Sequence, residues 1–129
     1  MSQDRAASPA HYPGRAPIDA YGNGGFRFAG MSHRGSILCL PSGIYAWAAA
    51  TEADLTADAF AAVVSEADGL QILLLGTGMT QIFPPRELRR ALEAAGFGVE
   101  PMATGAAART YNVLLAEGRR VGAALLAVD

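Results

Sequence analysis

The stretch from Gly69 to Val128 constrains the fold more than any other part of the chain. Within Leu70–Leu75 the run Ile72-Leu73-Leu74-Leu75 offers no polar side, which predicts a strand covered on both faces. The apolar period then lengthens from two to nearly four. Leu88, Ala91, Leu92 and Ala95 share one helical stripe. Pro85 suits the first helical position because its missing N–H has no partner there, and Gly96 suits the stop. Arg89 and Glu93 can pair on the wet side for about 0.3 kcal/mol. Val99–Met102 reads as a second strand. Thr104 predicts the cap of a last helix running to about Glu117, with Ala107, Tyr111, Leu114 and Leu115 inward. Val121–Val128 follows as the final strand. Upstream, Thr56 predicts another cap, placing Phe60, Val63, Val64 and Ala67 on one helical face that ends at Gly69. Helix alternating with strand predicts parallel pairing through right-handed crossovers.

Before Thr56 the period is two. Ile18–Tyr21 and Phe26–Ala29 flank Gly22-Asn23-Gly24-Gly25, and Asn-Gly tolerates the positive φ of a hairpin turn. Ile37–Leu40 and Ile44–Trp47 flank Pro41-Ser42-Gly43, a second hairpin. Gly30–Gly35 is expected as the loop between them. Residues 1–16 carry Pro9 and Pro13 with no periodicity, and are expected as a disordered tail before a single α/β domain over 17–129.

Composition removes several functions. All ten basic residues are Arg, so chemistry that needs lysine is excluded, including Schiff bases and the Walker lysine. A net charge of −2 argues against nucleic acid as partner. Two histidines and the single Cys39 cannot form the usual structural zinc site, and no metal or cofactor is expected. The longest apolar stretches, Ile72–Leu75 and Val121–Val128, are too short to cross a bilayer. No apolar leader opens the chain, and the cytoplasm is the expected compartment.

A set of motifs in fixed order carries a resemblance. They are Leu73-Leu74-Leu75-Gly76-Thr77-Gly78, Pro84-Pro85, Gly98-Val99-Glu100-Pro101-Met102-Ala103-Thr104, Ala107-Ala108-Arg109-Thr110-Tyr111-Asn112-Val113-Leu114 and Glu117-Gly118-Arg119-Arg120-Val121. In them the chain resembles family 498 of the domains of unknown function, which includes the mitochondrial respiratory complex I assembly factors. The resemblance covers roughly Ile18 to Val128. It implies a compact three-layer α/β domain of β/β/α type, with N-terminal β-hairpins, an αβαβαβ segment and a mixed, partly parallel sheet. It also implies a protein partner among respiratory-complex subunits or assembly factors, with the chain peripheral to the inner membrane through that partner.

The residues themselves offer one candidate ligand corner. Gly76-Thr77-Gly78 follows a buried strand as phosphate loops do, but Gln81 stands where a dinucleotide fingerprint needs its third glycine. A tight turn explains the same glycines. At Thr104-Gly105-Ala106 a helix start free of bulky side chains favours an anion, and Arg109 lies one turn on. If the strands before these loops are parallel neighbours, both loops meet at the usual ligand side of an open α/β sheet. Close packing of helix on sheet is the alternative reading. Arg109, Thr110, Tyr111 and Asn112 form a polar cluster that fits a binding surface or a capping network, with Arg109 and Asn112 placed to bond each other. Glu100 is expected to pair with Arg109 or Arg119. Cys39 reads as a small buried hydrophobe and His11 as solvated. Tyr45 and Trp47 alternate on one strand, and exposure there would mark a partner patch.

Two functions follow as expectations. One is a non-enzymatic interaction or assembly factor. The other is a binder of a small anion or small molecule, or an enzyme of unfamiliar type, using the corner between Gly76–Gly78 and Thr104.

Overall fold

The computed structural model describes residues 11–129. Residues 1–10, most of the expected tail, lie outside the described residues. In chain order the strands are β1 (Ile18–Gly22), β2 (Gly25–Phe28), β3 (Met31–Arg34), β4 (Ser36–Leu40), β5 (Gly43–Trp47), β6 (Ile72–Gly76), β7 (Gly98–Met102) and β8 (Val121–Leu125). The α-helices are α1 (Ala61–Ser65), α2 (Arg86–Ala94) and α3 (Thr104–Ala116). β1, β2 and β3 form a three-stranded antiparallel sheet, and the other strands form a five-stranded sheet in the order β5-β4-β8-β6-β7. β6 runs parallel to both β7 and β8, while β4 is antiparallel to β8 and β5. The large sheet is therefore mixed, as expected.

The β6 run is apolar throughout because both its faces are covered. Leu73 and Leu75 join a core with Leu38, Trp47, Phe60, Val63, Leu88 and Leu92. Leu74 points the other way, into a core with Ile37, Cys39, Phe26, Phe28, Ala107 and Tyr111. One layer is thus α1 and α2, the middle layer is the five-stranded sheet, and the third combines α3 with the small sheet.

Both predicted hairpins form. Asn23 and Gly24 take φ of 53° and 78°, the mirror-image turn that suits a two-residue connection. The expected loop Gly30–Gly35 is instead mostly strand. Met31–Arg34 pairs along β2 as β3, after a second tight turn in which Ala29 and Gly30 take φ of 51° and 77°. Its alternation is hard to read because Met31 and His33 are only half-buried.

The segment after Thr56 also differs from expectation. It is two short 3₁₀ turns, Ala57–Phe60 and Ala67–Gly69, on either side of α1, and Thr56 makes no capping bond through its side chain. Phe60, which ends the first turn, and Val63 in α1 are buried, while Val64, also in α1, is 42% exposed. The Trp47 indole N–H fastens this segment to the sheet by donating to the Ala59 carbonyl at 2.8 Å. In α2, Leu88 and Leu92 are buried but Ala91 is exposed, and Pro85 stands one residue before the helix. Arg89 and Glu93 do not pair, since the ion pair among the described residues is Arg119 with Glu117.

The described part of the expected tail is held in place. Tyr12 exchanges backbone hydrogen bonds with Ile44, and Ala16 is buried. His11 is exposed, as expected, and its ring lies 4.6 Å from that of His33.

Adjacent valines give a direct check. Val63→Ala is expected to cost about 2 kcal/mol in chemical denaturation. Val64→Ala is expected to stay within about 0.5 kcal/mol. Equal costs would contradict the outward placement of Val64.

Candidate functional site

Parallel neighbours end on the same side of a sheet, so β6 and β7 bring their outgoing loops together. Gly76, Thr77 and Gly78 therefore meet Thr104, Gly105 and Ala106 as the spacing predicts. Their polar groups, however, bond one another. The Gly78 N–H donates to Thr104 Oγ1 at 3.0 Å, and the Thr104 N–H returns to the Gly78 carbonyl at 2.8 Å. The Thr104 hydroxyl then donates to the Leu126 carbonyl at 2.7 Å, just beyond β8. Thr104 is completely buried and lies within the first turn of α3, with Ala103 as the capping position. Its hydroxyl bridges loops rather than capping its own helix.

Thr77 organises the other loop. Its N–H donates to the Met102 carbonyl at 2.8 Å. Its hydroxyl donates to the Thr80 carbonyl at 2.6 Å and accepts from the Ile82 N–H at 3.0 Å. Gln81 Nε2 adds a bond to the Pro101 carbonyl at 2.9 Å. The loop from Thr77 to Ile82 is thus tied at several points, yet Met79 is 74% exposed and Phe83 is 64% exposed.

At the start of α3, the Tyr21 side chain lies over Gly105, where any Cβ would collide with its hydroxyl. Arg109 donates to that same hydroxyl at 3.2 Å. Asn112 is not bonded to Arg109. Its side-chain amide accepts from the Ile18 N–H and donates to the Ile18 carbonyl, both at 2.8 Å. This imitates a ladder pairing and docks β1 on the helix. Thr110 reaches the Met102 sulfur at 3.6 Å.

Tyr111 is buried against Cys39, itself completely buried. Burial pushes the Cys39 thiol up to about 12, with the hydrogen bond from Tyr111 opposing it. Burial raises the Tyr111 phenol as well. Glu100 is exposed and pairs with neither Arg109 nor Arg119, because Arg119 reaches Glu117 at 3.7 Å instead. Trp47 is buried and Tyr45 half-buried, so the patch considered there is not a free surface. The exposed large apolar side chains are elsewhere, at Met79 and Phe83 above all. Their sequence signal was two apolar residues that fit no period, set among Thr, Gln and Pro.

This fold, a mixed five-stranded sheet with a three-stranded antiparallel cap, is that of a known domain class. A Mth938-like domain from Bordetella pertussis, solved in solution, has it too, with 33% identity and a TM-score of 0.76 over 93% of this chain and 89% of that one. The chain belongs to the family described as "Protein of unknown function (DUF498/DUF598)", whose model matches residues 18–126. A crystal structure described as an outer membrane protein from Bartonella henselae is 54% identical, with a TM-score of 0.88 over 92% of this chain and 100% of that one. An uncharacterised protein of Rhodobacter capsulatus is 45% identical over 115 residues, covering 89% of this chain and 87% of the relative. NADH dehydrogenase (ubiquinone) 1 alpha subcomplex assembly factor 3 of Mus musculus is 31% identical over 118 residues, covering 91% of this chain and 63% of that factor. The chain therefore spans just under two thirds of the mouse factor's length. Among the described residues no helix is long and apolar enough to cross a membrane.

Removing the Thr104 hydroxyl would leave the Gly78 N–H and the Leu126 carbonyl without this partner. Thr104→Val is expected to cost about 2 kcal/mol or more, whereas Thr104→Ser is expected to cost less, near 1 kcal/mol for the lost methyl. Urea titration of both variants checks this.

A raised thiol pKa stabilises the folded state below the unfolded value and loses that contribution as pH rises toward the folded one. Stability is thus expected to fall from about pH 8.5, and Cys39→Ala to flatten the slope up to about pH 10, where unfolded tyrosine begins to ionise. Denaturant midpoints across that range read the effect.

Proposed function

We propose that this chain is a non-enzymatic assembly factor that binds a protein of the respiratory NADH dehydrogenase system. The observation that carries the reading is the 31% identity with the mouse assembly factor over 118 residues. Within this chain the Thr77, Thr104, Arg109 and Asn112 side chains serve internal bonds. We infer that the corner formed by Gly76–Gly78 and Thr104 serves to position the loop beyond it.

That loop has the character of a contact surface. An exposed Met and Phe on a backbone already tied by Thr77 and Gln81 pay little ordering entropy when a partner covers them. Aromatic and Met side chains are enriched in interface cores. Arg86 and Arg90 follow on the exposed side of α2 and supply a polar rim. The occupant is a subunit or assembly intermediate of NADH dehydrogenase with an apolar recess and acidic edge.

The test uses the full chain, tagged and expressed at its own level in source cells. NADH dehydrogenase subunits are expected to co-purify, and deletion of the gene is expected to reduce assembled enzyme on native gels. Met79→Asp with Phe83→Asp is expected to abolish co-purification while leaving the unfolding midpoint nearly unchanged. Unchanged enzyme after deletion, with no subunit recovered, would overturn the reading.

A further inference from the structure

We propose that the outer face of the small sheet is a binding site for a phosphoryl group, gripped by Arg27 and Arg34. This is independent of the assembly role and uses residues outside the corner. The face carries a cleft of about 400 Å³, within the range of small-molecule sites. Its position follows from the pairing register. Gly22 stands opposite Gly25, and Gly25 opposite Arg34. In the next row of the same face Ala20 stands opposite Arg27, and Arg27 opposite Ser32. Small residues on β1 and at the start of β2 leave a depression, and long cationic side chains on β2 and β3 border it.

The charge arrangement points to the ligand. Arg27 and Arg34 are diagonal neighbours on adjacent strands, a placement that sets their Cβ atoms roughly 7 Å apart. Both are exposed, and neither makes an ion pair among the described residues. Among the described residues no acidic group pairs with them. Asp19 leaves the ladder at the irregularity between Ile18 and Ala20. The chain beyond β8 passes the hairpin turn, where the Gly24 N–H donates to the Val128 carbonyl, but Asp129 forms no ion pair with Arg34. Two arginines on one face of neighbouring strands, one of them reaching toward the turn at Gly24, can close on an anion held between them. A phosphate monoester carries close to two negative charges near neutral pH, and its oxygens match the guanidinium fork. Ser32, opposite Arg27, adds a hydroxyl that can donate to a third oxygen. A carboxylate would balance only one of the cations.

The phosphoryl group can be carried by a soluble metabolite or by a lipid headgroup, and one experiment with two arms separates these. In the first, ¹⁵N-labelled full chain is titrated with inorganic phosphate at constant ionic strength. Saturable amide shifts are expected at Gly25, Arg27, Ser32 and Arg34. Arg27→Gln and Arg34→Gln are each expected to weaken binding roughly tenfold. Arg90→Gln on α2 is expected to leave it unchanged. In the second arm the chain is floated with phosphatidic acid vesicles. Flotation lost in Arg27→Gln and competed by free phosphate assigns the headgroup. No flotation alongside the phosphate shifts assigns the soluble ligand. Dispersed amide spectra confirm that each variant is folded, and Arg34→Lys, which keeps the charge but not the fork, is expected to bind at intermediate strength. Shifts that fail to saturate, or that persist equally in Arg27→Gln and Arg34→Gln, would overturn the proposal.

Discussion

The fold turns on one buried hydroxyl. Thr104 has no solvent access, and its oxygen stands between the Gly78 N–H and the Leu126 carbonyl. It therefore joins the exit of β6, the entry of α3 and the exit of β8 at one point. A backbone polar group buried without a partner costs about as much as a hydrogen bond contributes, so each of these three segments depends on the hydroxyl's staying in place. Gly76 makes the contact close, because a Cβ there would press on Thr104 at 3.0 Å. The adjoining bond from the Leu126 N–H to the Gly76 carbonyl, at 3.0 Å, closes the same knot.

The consequence for function is a displacement. Open α/β sheets usually bind ligands where parallel strands end. Here the Thr77, Gly78 and Thr104 N–H groups and the Thr104 hydroxyl are engaged with Met102, Thr104, Gly78 and Leu126, and Tyr21 lies over Gly105 at the start of α3. What remains accessible beside the corner is the Met79–Phe83 segment, held firmly from beneath by Thr77. The same bonds that tie the two loops together leave two large apolar side chains exposed beside them.

Much of this was legible in the residues. The Ile72–Leu75 run and the Leu88/Leu92 stripe located β6 and α2, because their burial is strong enough to leave a clear pattern. The Asn23-Gly24 turn located the first hairpin through local sterics alone. The meeting of Gly76–Gly78 with Thr104–Ala106 followed from parallel pairing. Other features rest on tertiary partners and leave no local trace. Met31–Arg34 is half-exposed, so its alternation is weak. The outward placement of Val64 depends on how α1 packs, with Val63 turned into the core. Thr104 looks identical in sequence whether it caps its own helix or bridges Gly78 and Leu126. Asn112 imitates a strand neighbour for Ile18, 94 residues away, which no spacing rule anticipates.

Native-state hydrogen exchange at the corner tests this account most directly. The amides of Gly78 and Thr104 bond across two loops, and that of Ile82 bonds to the Thr77 hydroxyl. If the corner is a structural lock, these amides exchange as slowly as those of β6 and open only with global unfolding. Rapid exchange of Gly78 and Thr104 while the β6 amides stay protected would mean a corner that opens independently of the core, and would contradict the account.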